Sequence, residues 1–216
     1  MEEKLKESTA KNQYTAKAYT YADYLTWPEE SPVELIEGIP HAMTAPTRLH
    51  QEIVGEVFRQ IANYLVGKPC KTYVAPFDVR LADSQAEDKD IINVVQPDIS
   101  VICDQEKLDD KGCLGSPDLI IEVLSPSSIV KDQLKKLNLY EKYGVKEYWI
   151  IHPQDKIITV YQLDSIQKYG RPYVYLFNQE VPVGIFQDIS ISLKNILDED
   201  ELKALEEELK EILENE

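Results

Sequence analysis

The sequence predicts an α/β fold in which a mixed central sheet is flanked by helices, with added N-terminal strands and a C-terminal helix. Three observations predict it. The middle of the chain reads helix, three strands, helix, strand, the order of a layered core built around one sheet. Apolar residues make up 43% of the 216, enough for a sizeable core in one domain. Two of the strands, in VVQPDISVI and PDLIIEVLSPSS, are apolar enough to be buried yet carry the carboxylates Asp98 and Glu122.

The elements follow in order. Residues 1–20 are polar and read as a flexible N-terminal segment. TYADYLTWPEES reads as a short helix that ends before Pro28. Val33–Ile39 is a strand with Gly38 near its turn, and HAMTAP pairs with it before Pro46. Thr47 caps a helix from Arg48 to Val66, striped by Leu49, Ile53, Val57, Ile61 and Leu65. Strands follow near Lys71–Ala75 and Phe77–Leu81, then the polar loop ADSQAEDKD. Asp98–Cys103 and Asp118–Leu124 are the next strands. Ser127 or Ser128 caps a helix to Tyr143, stopped by Gly144. Glu147–His152 and Lys156–Leu163 pair across a turn at HPQD, and Pro172–Asn178 is a further strand. Ile189–Leu197 leads into the last helix, residues 198–216, leaving 21–197 as the main domain. In that helix Leu202, Leu205, Leu209 and Ile212 step by 3, 4 and 3, the seam of a coiled coil. Asp198 followed by Glu201 resembles a capping box. The seam suits packing on the chain's own domain and homodimerisation equally.

Composition bounds the function. The net charge of −16 argues against a general nucleic-acid-binding surface. Residues 198–216 hold ten acidic residues and two lysines, so half of the excess sits in the tail. No leader-like or membrane-spanning run is present in the sequence, which points to a soluble, cytoplasmic protein. Cys70, Cys103 and Cys113 are odd in number and form no CxxC pair, which suggests reduced thiols and no thiolate zinc site.

Chemistry concentrates on the two carboxylates. Strand alternation sets Leu119, Ile121 and Val123 on one face and Ile120, Glu122 and Leu124 on the other. Glu122 is thus flanked by large aliphatics, unlike a residue on a solvated edge. Facing carboxylates repel unless a cation intervenes, and Mg²⁺ takes a few carboxylates plus water and phosphate oxygens. The plainer alternative is a turn residue at Asp98 and an ion pair at Glu122. Asp132, Lys136 and Tyr140, spaced i, i+4, i+8, share one helix face. Leu134 and Leu137 point the other way, so this helix should be covered on both sides and Lys136 partly buried against an acidic partner. Lys135 is the solvent-facing lysine. His50 lies among apolar positions of its helix, as a core histidine or a neighbour of the site.

QPDI, PDLIIEVLSPSS, the Asp132–x3–Lys136–x3–Tyr140 spacing and YGVKEYWI together resemble the Uma-two family of restriction endonucleases, within the PD-(D/E)XK nuclease superfamily. VELIEG, His50 and DVRL at Asp78–Leu81 extend the likeness to roughly residues 22–197. The resemblance implies a restriction-endonuclease-like core. It implies that Asp98 and Glu122 are catalytic and ligate Mg²⁺, or Mn²⁺ in its place, with the Val123 carbonyl as a further ligand. Glu34 and His50 match recurrent family positions and, with Asp132 and Tyr140, would support the site. The superfamily lysine two residues after the glutamate is Leu124 here, and Lys136, at the family's helix lysine, would supply the ammonium.

The leading expectation is therefore Mg²⁺-dependent hydrolysis of nucleic-acid phosphodiester bonds, with DNA as the substrate. The alternative is a nuclease-fold protein that is weakly active or inactive and works in binding or assembly, as Leu124 and the acidic surface suggest. A third reading is a hydrolase of smaller phosphodiesters. A DNA-selective enzyme should show a basic groove, to which Arg48, Arg80, Lys131, Lys135 and Lys136 could contribute.

Overall fold

The computed structural model describes residues 18–28, 33–125 and 130–214, with the side chains of 130–133, 208 and 211–214 left aside. The expected Ser127 or Ser128 cap lies outside the described residues. Thr20 and Asp23 form a reciprocal capping box on helix α1, Tyr21–Tyr24. Strands β1, Val33–Ile36, and β2, Ile39–Ala42, form a hairpin. Its turn, Glu37 and Gly38, has φ of 51° and 75°, the left-handed pair of a type I′ connection. Helix α2 spans Arg48–Leu65, and the Thr47 hydroxyl accepts from His50 N. Strands β3, Lys71–Val74, β4, Val79–Arg80, β5, Val94–Val95, and β6, Ile99–Ile102, follow. Then come β7, Leu108–Asp109, β8, Gly112–Leu114, and β9, Leu119–Val123. Helix α3, Val130–Tyr143, stops at Gly144, whose φ of 77° suits a glycine C-terminal cap. The chain closes with β10, Glu147–His152, β11, Ile157–Gln162, β12, Tyr173–Leu176, β13, Glu180–Pro182, β14, Ser190–Ser192, and helix α4, Glu199–Glu214.

These strands form two six-stranded sheets where one was expected, plus the ribbon β13–β14. The main sheet runs β12-β11-β10-β9-β6-β3, with only β9 and β10 parallel. The second runs β2-β1-β5-β4-β8-β7. It was illegible because β4, β5 and β7 are two residues each, too short for any periodicity.

One face of the main sheet buries Val101, Ile121, Trp149 and Ile151 against Ile53, Val57 and Ile61 of α2. The opposite face sets Ile120, Tyr148 and Ile150 against Leu139 and Tyr140 of α3 and against Ile36, Val79 and Val95 of the second sheet. Helix α3 departs from expectation at Leu134, which is 55% exposed, whereas Leu137 packs against the core that Leu139 and Tyr140 enter. A single exposed leucine is ordinary.

Two further expectations are corrected. Cys70 and Cys103 form a disulfide, leaving Cys113 as the buried free thiol. The β3–β6 register pairs Lys71 with Ile102, and one step further sets Cys70 against Cys103, a proximity that spacing alone could not show. Arg80 is 2% exposed and pairs with Asp109, so it cannot serve a basic groove. Among the described residues, no helix is long and apolar enough to cross a membrane.

Helix α4 carries the predicted capping box: Asp198 Oδ1 accepts from Glu201 N, and Glu201 Oε2 accepts from Asp198 N. Leu205 is buried in the main core and Leu209 packs against it. This part of the seam is taken by the chain's own domain. Leu205→Ala should therefore destabilise the protein by about 2–5 kcal/mol in urea unfolding, the range for a buried leucine truncation. A loss below about 0.5 kcal/mol would place the helix off the core.

Candidate active site

Strand register builds the site. Ile99 of β6 pairs with Ile121 of β9, so one step further Asp98 lies opposite Glu122. Alternation sends both side chains to the face that meets α3 and the second sheet. Asp98 is locked there by Val123 N, which donates to its Oδ2 at 2.7 Å. His50, in the first turn of α2, sets its Nε2 3.2 Å from the same oxygen. From β1, Glu34 reaches in; its face is set by the hairpin turn and by Leu35 pairing with Val94. Its Oε1 accepts from Gln96 N at 2.9 Å.

Lys136 joins these parts. Its ammonium lies 2.8 Å from Glu34 Oε1 and 2.9 Å from Glu122 Oε1. One helical turn on, the Tyr140 hydroxyl donates to Glu122 Oε1 at 2.8 Å. Asp98, Glu122, Lys136, Glu34, His50 and Tyr140 are thus brought together. The Asp132 side chain lies outside the described residues. Lys135 is exposed, as expected.

Burial pushes the Glu122 carboxyl up to about 7, and the negative charges of Glu34 and Asp98 add to this against the pull of Lys136. For Lys136, burial works against the charge, but Glu122 and Glu34 outweigh it and hold the ammonium well above its usual range. Burial likewise disfavours charge on His50, yet its bond to Asp98 and that carboxylate's charge raise its pKa; the Val123 backbone adds to this. Burial, then Glu122, holds the Tyr140 phenol protonated.

The residues fit a hard divalent cation. Three carboxylates face one ammonium and one imidazole, so the oxygens outnumber the cations available to balance them. Among the described residues, no three His, Cys, Asp or Glu side chains form a metal cage by themselves. Two carboxylates and a carbonyl, completed by water and phosphate oxygens, suit Mg²⁺, which retains several waters. His50 Nδ1 is buried with no partner among the described residues.

These groups open into a cleft of about 740 Å³, whose wall includes His41, Met43, Pro46, Pro76, Leu124 and Ser125. Sequence reasoning missed two of its supports. Gln96 holds Glu34 through its backbone, and its side chain reaches Asp78 and Tyr24. Its place directly before Pro97–Asp98 was the available signal. His41 lies opposite Glu34 in the hairpin. A further buried carboxylate, Glu147, faces the other side of the main sheet and accepts from Trp149 Nε1 and Ile185 N. It belongs to the core there and takes no part in the cleft.

Residues 21–194 match the Uma2 family, described as "Putative restriction endonuclease". An uncharacterized protein of Synechocystis is 28% identical over 120 residues, 55% of this chain and 60% of that protein. The chain thus spans less than two thirds of this curated relative. A crystal structure from Anabaena variabilis, titled a "putative nuclease", superposes with a TM-score of 0.66 at 24% identity. The match covers 82% of this chain and 96% of that one, and shows a shared fold.

The raised Glu122 pKa has a sign that can be tested without metal. Between pH 4.5 and about 7 the folded protein keeps a proton that the unfolded chain loses. The contribution of this group to stability is therefore full below pH 4.5 and declines as pH rises through about 7. In EDTA, Glu122→Gln should be more stable than the wild type at pH 8 by about 1–3 kcal/mol, with the gain vanishing near pH 4.5. Urea midpoints across that range check it; equal midpoint shifts at both ends would contradict the assignment.

Proposed function

This chain belongs to the Uma2 family, and from that premise we propose that it is a Mg²⁺-dependent endonuclease that hydrolyses nucleic-acid phosphodiester bonds, with DNA as the substrate. The observation that carries the reading is the register pair Asp98 and Glu122 with the Lys136 ammonium between Glu122 and Glu34. Asp98, Glu122 and the Val123 carbonyl would hold Mg²⁺, with Mn²⁺ able to replace it. The chemistry such a cation supplies is Lewis-acid neutralisation of phosphoryl charge and acidification of water.

The remaining work falls to the chain. Lys136 is held protonated, so it serves as a donor and a positive charge beside the phosphate, not as a general base. Tyr140 positions Glu122, and His50 with Val123 N positions Asp98. Leu124, at the superfamily's lysine position, instead packs against the core between the sheets. That substitution also supports a second reading, a nuclease fold used for binding or assembly. Calorimetry with Mg²⁺ and Mn²⁺, alongside cleavage assays, separates the two.

Glu122→Gln and Asp98→Asn should each lower cleavage by at least ~10³-fold while the circular dichroism spectrum is kept. Lys136→Met should cost about 10²–10³-fold, the scale for losing one charge-stabilising donor. EDTA should abolish activity and Mn²⁺ restore it. Undiminished cleavage by Glu122→Gln would exclude the proposed chemistry.

A further inference from the structure

Duplex DNA is held chiefly through phosphates by lysine and arginine. Lys136 is the one lysine or arginine among the described residues lining the cleft, and both Glu34 and Glu122 already claim it. Of the other groups expected to form a basic groove, Arg80 is buried on Asp109, Arg48 and Lys135 are exposed and line no part of the cleft, and the Lys131 side chain lies outside the described residues. Three carboxylates stand at the floor.

The wall offers different chemistry. Ile36, Met43, Pro46, Pro76 and Leu124 give it an apolar lining. The volume of about 740 Å³ falls within the ~300–1,000 Å³ of pockets that enclose one small ligand. His41 Nε2, in the same wall, is buried without a partner among the described residues, a state that a native structure must account for. Enzymes that enclose a base do so in a snug pocket between apolar or aromatic side chains.

We propose that the substrate enters this cleft as an unpaired nucleotide, its base against the Met43–Pro76–Leu124 wall and its phosphodiester at Asp98 and Glu122. This rests on the nuclease reading above. Single-stranded nucleic acid, or a single-stranded flap on a duplex, is then the preferred substrate class. Blunt duplex is disfavoured because, among the described residues lining the cleft, few phosphates find a cation. Binding draws on apolar contact, so it depends little on salt.

The test uses the full chain with a labelled 20-mer as a single strand, as a blunt duplex and as a flap on a duplex. With Mg²⁺, the single strand and the flap should be cleaved at least tenfold faster than the blunt duplex. With Ca²⁺ in place of Mg²⁺, fluorescence anisotropy should show single-strand binding whose log–log salt slope is shallower than about −2, equivalent to a few phosphate contacts. Met43→Asp should weaken single-strand binding at least fivefold with the fold kept. Blunt duplex cleaved as fast as single strand, or a slope of about −5 or steeper, overturns the proposal and leaves the nuclease reading standing. Single-strand binding with a shallow slope but no cleavage of any form supports this binding mode and removes the nuclease reading. No binding and no cleavage overturns both.

Discussion

The Lys136 ammonium is the interaction on which the rest of the site depends. It touches Glu122 on the main sheet and Glu34 on the second sheet, and it is carried by helix α3, which shares a core with both. Three separately formed pieces of chain thus meet at one charge. Each carboxylate would be costly to bury alone, and together they would repel. With the ammonium between them they can share a nearly dry site, although the floor keeps an excess of negative charge. A buried ion cluster of this kind contributes little net stability over an apolar replacement, whereas losing the ammonium strands the carboxylates around it. It is better understood as setting position than as holding the fold together.

The fold itself is held by the apolar faces on either side of the main sheet. Trp149 and Ile151 pack towards helix α2, while Tyr148 and Ile150 pack towards helix α3, so β10 is buried on both faces. That double burial explains the unbroken run YWII, Tyr148–Ile151. It also gives β9 a rigid parallel neighbour, with Ile150 beside Glu122 in register. The carboxylate therefore projects from the best-supported part of the sheet.

Much of the site was legible in the sequence because it rests on strong periodicities. Alternation along PDLIIEVL singled out Glu122, and the i, i+4 spacing joined Lys136 to Tyr140. The long stripe of α2 predicted its helix to within a residue at the C-terminal end. What stayed hidden depended on contacts distant in sequence. Glu34 was placed only by resemblance, since nothing in VELIEG says which element it faces. Gln96 acts through its backbone, which no side-chain pattern reports. The Cys70–Cys103 bond follows from the β3–β6 register, and the second sheet from strands too short to show a period.

The placement of the ammonium on a helix, with Leu124 on the strand, has a consequence for cooperativity. A lysine two residues beyond Glu122 on β9 would share that strand's fate: whenever the strand is formed, the pair is formed. Lys136 instead reaches Glu122 only while helix α3 is docked. Proteins open in parts, at free energies below that of global unfolding. An opening that lifts α3 from the sheet would dismantle the site, and leave Glu34 and Glu122 without their counter-charge, while β6 and β9 stay paired. Site integrity is thereby tied to the docking of one helix, and hydrogen exchange along α3 becomes a measure of the fraction of molecules whose site is assembled.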